Sequence, residues 1–259
     1  MWDFFGACVL KIGRDRTVNR KPSHSLLLCN GEPPSRRFTR KLASGADVIV
    51  AADGGANIAR RFGIRPDVIV GDLDSITAAT RRYFASLVKR LKPLRGVRES
   101  SLPRPEGRGY TQLVRISQQD NTDLEKALDV LVERKTKRVI ILAATGKRID
   151  HTLGNLSVLW NYTNAMDITL AGDGWVAFPV GRMKRVQAKR GTTVSLIPFG
   201  ICSGITLRGL QYPLTKATMR VGEIGLSNVV IASPFAVHVK KGNMLMVMQT
   251  DYSSYTILS

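Results

Sequence analysis

Four short apolar runs constrain this chain most. Residues 25–29, 47–52, 67–70 and 138–143 are continuously apolar rather than alternating, as strands buried on both faces should be. Between them lie stretches of helical character at 38–43, 56–62, 77–90, 123–134 and 151–162. The fourth is the clearest: Thr122 and Glu125 spell a T-x-x-E capping box, and Leu124, Leu128 and Leu131 fall on one helical face. Strand alternating with helix predicts an α/β fold, a mostly parallel sheet with helices on both faces. After about residue 175 the texture changes to short β-rich segments at 192–197, 205–207, 229–231, 236–239 and 244–249, separated by Gly, Pro, Ser or Asn. That spacing predicts a small C-terminal antiparallel β-sandwich. Met244, Met246 and Met248 alternate with Leu245 and Val247 there, and methionine at period two reads as packing.

The expected organisation is a basic extension at 1–24, an α/β domain at 25–175 and a sandwich at 176–259. The extension carries Arg14, Arg16, Arg20 and Lys21 and lacks the order of a secretory signal. No apolar run approaches the roughly 18 residues of a membrane helix, so no membrane partner is expected. Cys8, Cys29 and Cys202 are odd in number and far apart, which suits free thiols and a cytoplasmic location. His24, His151 and His238 are too scattered for a histidine metal centre.

Lysine and arginine number 39 against 20 acidic residues, a net charge of +19. This attracts anionic partners, but the basic residues are spread widely and no nucleic-acid module motif is present, so specific nucleic-acid binding is not expected. Residues 89–115 hold eight basic side chains with several prolines and glycines. They read as a long solvated loop or a phosphate-attracting flap.

In so basic a chain the placement of acidic residues is informative. Asp53, Asp72, Asp74, Asp120, Asp123 and Asp150 fall in four segments that follow strands or open helices. In open α/β sheets ligands bind outside the carboxyl ends of the strands, where such loops converge. Carboxylates gathered without histidine or cysteine select a hard cation, and Mg²⁺ prefers a few carboxylates plus substrate phosphates. Asp72 and Asp74, at i and i+2, point to one side if the backbone is extended. Gly54 and Gly55 permit close backbone approach, and the planar fork of Arg148 suits phosphate. Each feature also has a plainer reading: Asp53 in a turn, Thr122 as a cap, Asp150 and His151 at a helix start.

In order and spacing the motifs resemble the thiamine pyrophosphokinase family: A-D-G-G-A-N at 52–57, G-D-x-D-S at 71–75, D-x-T-D-x-x-K-A-L at 120–128, T-G-x-R-x-D-H at 145–151, G-L-x-Y-P-L at 209–214 and G-x-S-N at 225–228. The resemblance implies Mg²⁺-dependent transfer of a pyrophosphoryl group from ATP to the hydroxyl of thiamine, giving thiamine diphosphate and AMP. It implies Asp72, Asp74 and Asp123 as metal ligands, with Asp53 in the same acidic catalytic site. Thr122, Gly146, Arg148 and Asp150 would lie on the nucleotide side. Tyr212, Ser227 and Asn228 would meet thiamine, across the two subunits of a homodimer. Lys147 departs from the family pattern, which has a second glycine at that place. A pyrophosphokinase for another alcohol, such as a hydroxymethylpterin, and a nucleic-acid-binding protein on the same fold are the alternative readings.

Overall fold

The computed structural model of the protein describes residues 23–85, 111–115, 121–223 and 225–258. The basic extension up to residue 22, most of the 89–115 stretch and Asp120 lie outside the described residues. The first six strands are β1 (His24–Leu28), β2 (Ala46–Ala52), β3 (Val68–Gly71), β4 (Gln112–Arg115), β5 (Arg138–Leu142) and β6 (Asp167–Gly172). They lie in the order β4-β3-β2-β1-β5-β6, and every neighbouring pair is parallel. Between them run α1 (Arg36–Ser44), α2 (Gly55–Phe62), α3 (Ala78–Ala85), α4 (Asp123–Glu133) and α5 (Ile149–Ser157).

The continuous apolar runs follow from burial on two sides. Leu26, Leu28, Ala51, Ile69 and Ile140 pack in one core with Leu42 of α1, Ile58 and Phe62 of α2 and Phe84 of α3. Their strand neighbours Leu27, Val50, Val68, Val139 and Ile141 pack in a second core with Leu124, Leu128 and Leu131 of α4. The strand order reverses between β1 and β5, which opens a crevice at the carboxyl ends of these strands.

From β6 onward every pairing is antiparallel. The strands are β7 (Trp175–Val180), β8 (Met183–Ala188), β9 (Thr193–Arg208), β10 (Leu214–Met219), β11 (Asn228–Val229), β12 (Phe235–His238), β13 (Lys241–Met248) and β14 (Tyr255–Leu258). β7 bonds to β6, so the β-rich C-terminal region and the parallel part share one mixed hydrogen-bonded sheet. The methionine pattern serves two cores: Met244, Met246 and Met248 enter the first and Leu245 the second.

Two elements depart from expectation. The segments expected at 192–197 and 205–207 are one strand, β9, which continues through Gly200 and Gly204 at φ +101° and +66°. β4 lies inside the stretch read as a loop, and its Val114 is buried. α3 is described as Ala78–Ala85, within the helix expected at 77–90, whose residues 86–90 lie outside the described residues. Among the described residues no helix is long and apolar enough to cross a membrane.

Candidate active site

The acidic loops converge at the carboxyl edge of the parallel strands. Asp53 follows β2, and its amide donates to Val70 O of β3 at 2.8 Å, so the ladder itself pins the residue at φ +40°. Gly55 is required just beyond it, because a Cβ there would strike the carbonyl oxygen of Leu28. Gly71 ends β3 at φ +146°, and a Cβ on it would lie 2.8 Å from Asp53 Cβ and 3.2 Å from Asp123 Oδ1. Only glycine lets the two acidic loops approach so closely. Asn57 stitches the first two motifs together: its Nδ2 donates to Ser75 O at 2.9 Å, and its Oδ1 accepts from Thr77 N at 3.1 Å. Asp123 opens α4 behind the complete Thr122–Glu125 capping box, where the helix N-terminus favours a carboxylate.

Carboxylate oxygens of Asp53, Asp72 and Asp123 lie within 4.8 Å of one another. They line a cavity of about 590 Å³ with Cys29, Asn30, Ser75, Thr122, Lys126, His151 and Asn155 among its other walls. Asp53 is 2% exposed, and its Oδ1 is buried without a hydrogen-bond partner. Burial is the main force raising the Asp53 carboxyl above its usual range; hydrogen bonds from Ser75 and Gly54 oppose it, while Asp72 and Asp74 add to it. Burial likewise raises Asp123 most, opposed by Lys126, whose Nζ lies 3.2 Å from Asp123 Oδ1. Burial, with Asp123 nearby, pushes the Cys29 thiol up to about 12.

Three converging carboxylates, one with an orphaned buried oxygen, fit a hard divalent cation. The third member differs from expectation. Leu73 takes φ +70°, so residues 72–74 turn rather than extend. Asp72 Oδ1 accepts from Asp74 N at 3.2 Å, while the exposed Asp74 accepts from Ser75 Oγ at 3.0 Å. Asp74 therefore lies outside the close trio, and Asp53 takes the place the i, i+2 spacing suggested for it.

Other expected site residues are spread more widely. Thr122 lines the cavity, whereas Gly146, Arg148 and Asp150 lie in the loop and first helical turn leading to His151. The Arg148 guanidinium hydrogen-bonds both oxygens of Asp150 and holds that carboxyl down at about 2. Lys147 accepts a left-handed φ of +55°, and its Nζ donates to Asn30 O at 2.8 Å, tying this loop to the cavity wall. Tyr212, Ser227 and Asn228 do not line the cavity. Tyr212 is 62% exposed. The Asn228 side chain is spent holding its backbone, accepting from Tyr212 N at 3.0 Å and donating to Tyr212 O at 2.9 Å. Sequence reasoning assigned no role to Asn57 and Lys126, although both stand inside quoted motifs, nor to Asn30 and Asn155, which carry no motif signal.

Three carboxylates gathered at the carboxyl edge of a parallel α/β sheet suit an enzyme that handles polyphosphate with a hard cation. Comparison with known proteins narrows that class. A family profile for the thiamin pyrophosphokinase catalytic domain matches residues 39–95 and 106–170, and one for the thiamin pyrophosphokinase vitamin B1 binding domain matches 183–244. Thiamine pyrophosphokinase 3 of Oryza sativa subsp. japonica is 30% identical over 238 residues, covering 80% of this chain and 79% of its own. Thiamine pyrophosphokinase of Bacillus subtilis (strain 168) is 28% identical over 207 residues, 78% of this chain and 87% of its own. A Candida albicans thiamin pyrophosphokinase structure superposes with a TM-score of 0.71 at 17% identity, over 88% of this chain and 89% of that one, and so shares the fold. The chain belongs to the thiamine pyrophosphokinase family.

Proposed function

We propose that this enzyme transfers the pyrophosphoryl group of ATP to the hydroxyl of thiamine, giving thiamine diphosphate and AMP, with Asp53, Asp72 and Asp123 holding Mg²⁺. The observation that carries the reading is the carboxylate trio lining the cavity, in which Asp53 keeps one buried oxygen without a hydrogen-bond partner. Bound there, the cation offsets the charge of the phosphates around the reacting phosphorus. The chain's own part is positioning: the Gly71 backbone lets the carboxylates converge, the Thr122 cap fixes Asp123, and Asp74 braces the loop through Ser75. Gly146, Arg148 and Asp150 border the nucleotide, and Lys147 keeps their loop against Asn30.

Residues 25–175 then form the catalytic domain and 176–259 a thiamine-binding β-sandwich, a division supported by the two matched ranges. The exposed ring of Tyr212 offers a face to the thiazolium cation, with Asn228 holding the tyrosine backbone and Ser227 preceding Asn228 in the chain. The cavity walls include no residue of this second region. The complete site is therefore proposed to form between two chains of a cytoplasmic homodimer.

Asp72→Asn tests the reading, since an amide keeps the shape and removes the charge. Turnover of ATP with thiamine is expected to fall about 100-fold or more, the scale of losing one electrostatic contact to a developing charge, with the thermal midpoint nearly unchanged. Unaltered turnover would remove Asp72 from the site.

A further inference from the structure

Lys126 is a lysine where lysine seldom sits. It is 5% exposed, on the buried side of α4 beside the carboxylate trio, and its Nζ meets Asp123 Oδ1 at 3.2 Å. A buried ammonium is tolerated only when paired, because desolvating an unpaired charge is costly. Three carboxylates with oxygens within 4.8 Å of one another repel, and this ammonium is the counter-charge built into their wall.

Lys126 engages the same carboxylate, that of Asp123, which a divalent cation would share with Asp53 and Asp72. Two cations cannot both crowd that carboxylate without strong repulsion at this range. A lysine has a flexible four-carbon stem and three donors that can be redirected to other acceptors. We propose that Lys126 is a resident counter-ion of the acidic site, which yields Asp123 Oδ1 when the divalent cation enters and then turns its ammonium to the phosphate oxygens of the nucleotide. The inference rests on the metal-site reading given under Proposed function. It makes Lys126 a competitor of the cation in the nucleotide-free enzyme and an ally of the polyphosphate once both are bound.

The test is a calorimetric titration of the full chain with Mn²⁺, without nucleotide, for wild type, Lys126→Met and Lys126→Arg. Removing the competing charge is expected to tighten Mn²⁺ binding by about tenfold or more, the scale of coupling between close charges, whereas Lys126→Arg stays near wild type. The same Met variant is expected to bind ATP more weakly in the presence of Mn²⁺. Lys126→Gln, which leaves a polar end in the buried site, serves equally if the Met variant does not fold. Equal or weaker Mn²⁺ binding in the charge-free variants would overturn the competition while leaving the metal site intact. Absence of Mn²⁺ binding in every form, wild type included, would overturn the metal site and this role with it.

Discussion

Gly71 shows how narrowly the site is built at the scale of one residue. Its φ of +146° is a region essentially confined to glycine, and any Cβ would press on Asp53 and Asp123. Gly71→Ala is expected to destabilise the fold by about 1–3 kcal/mol and to abolish most activity, as read by thermal unfolding and turnover. Lys147 is the converse case, a side chain where its loop prefers none. Lys147→Gly and Lys147→Ala both lose the bond to Asn30, but only alanine keeps the left-handed strain. The glycine variant should therefore be the more stable by about 1 kcal/mol in chemical unfolding. Cys29 borders the cavity, yet burial and Asp123 push its thiol up to about 12. Peptide mapping after iodoacetamide treatment of the native protein at pH 8 is expected to find Cys29 unlabelled, and labelled after denaturation. The acidic residues were legible in the sequence because carboxylates are scarce in so basic a chain. That Asp53 rather than Asp74 stands close to Asp72 and Asp123 was not, because it hangs on Leu73 entering the left-handed region, and nothing in G-D-L-D-S announces that turn.

At the scale of elements, α4 was the most legible because its start is written locally: the Thr122 hydroxyl accepts from Glu125 N, and the Glu125 carboxylate accepts from Thr122 N. That cap also sets the first turn in which Asp123 and Lys126 meet. Thr122→Ala is expected to cost about 1 kcal/mol of stability and to lower turnover more than a comparable surface change, since it loosens a proposed metal ligand. The buried strands were legible for a similar reason, as two apolar cores leave no polar face to confuse the pattern. β9 was not, because glycines that usually end a strand here bend one through Gly200 and Gly204. β4 was hidden as well: four residues, Gln112–Arg115, stand beside basic and glycine-rich chain, and their pairing partner β3 is more than forty residues earlier. Long-range pairing, not local propensity, makes that strand.

At the scale of the whole molecule, the acidic cavity and the Tyr212 region sit in different parts of one mixed sheet, and the cavity walls come entirely from the first part. If the site is completed between subunits, Asp72→Asn and Tyr212→Ala chains, each weak alone, should complement when unfolded together and reassembled. Random pairing of equal amounts gives about a quarter of sites with neither defect; no recovery would place both residues in one chain's site. The surplus of positive charge, +19 over the chain, provides a general attraction for a polyphosphate, while the carboxylates of the pocket suit the cation proposed to accompany that substrate. The most direct measurement is to identify the nucleotide formed when the enzyme is incubated with ATP, Mg²⁺ and thiamine. AMP and thiamine diphosphate appearing in equal amounts, and neither forming when Mg²⁺ or thiamine is omitted, is the expected result. ADP as the product, or AMP released regardless of thiamine, would contradict it.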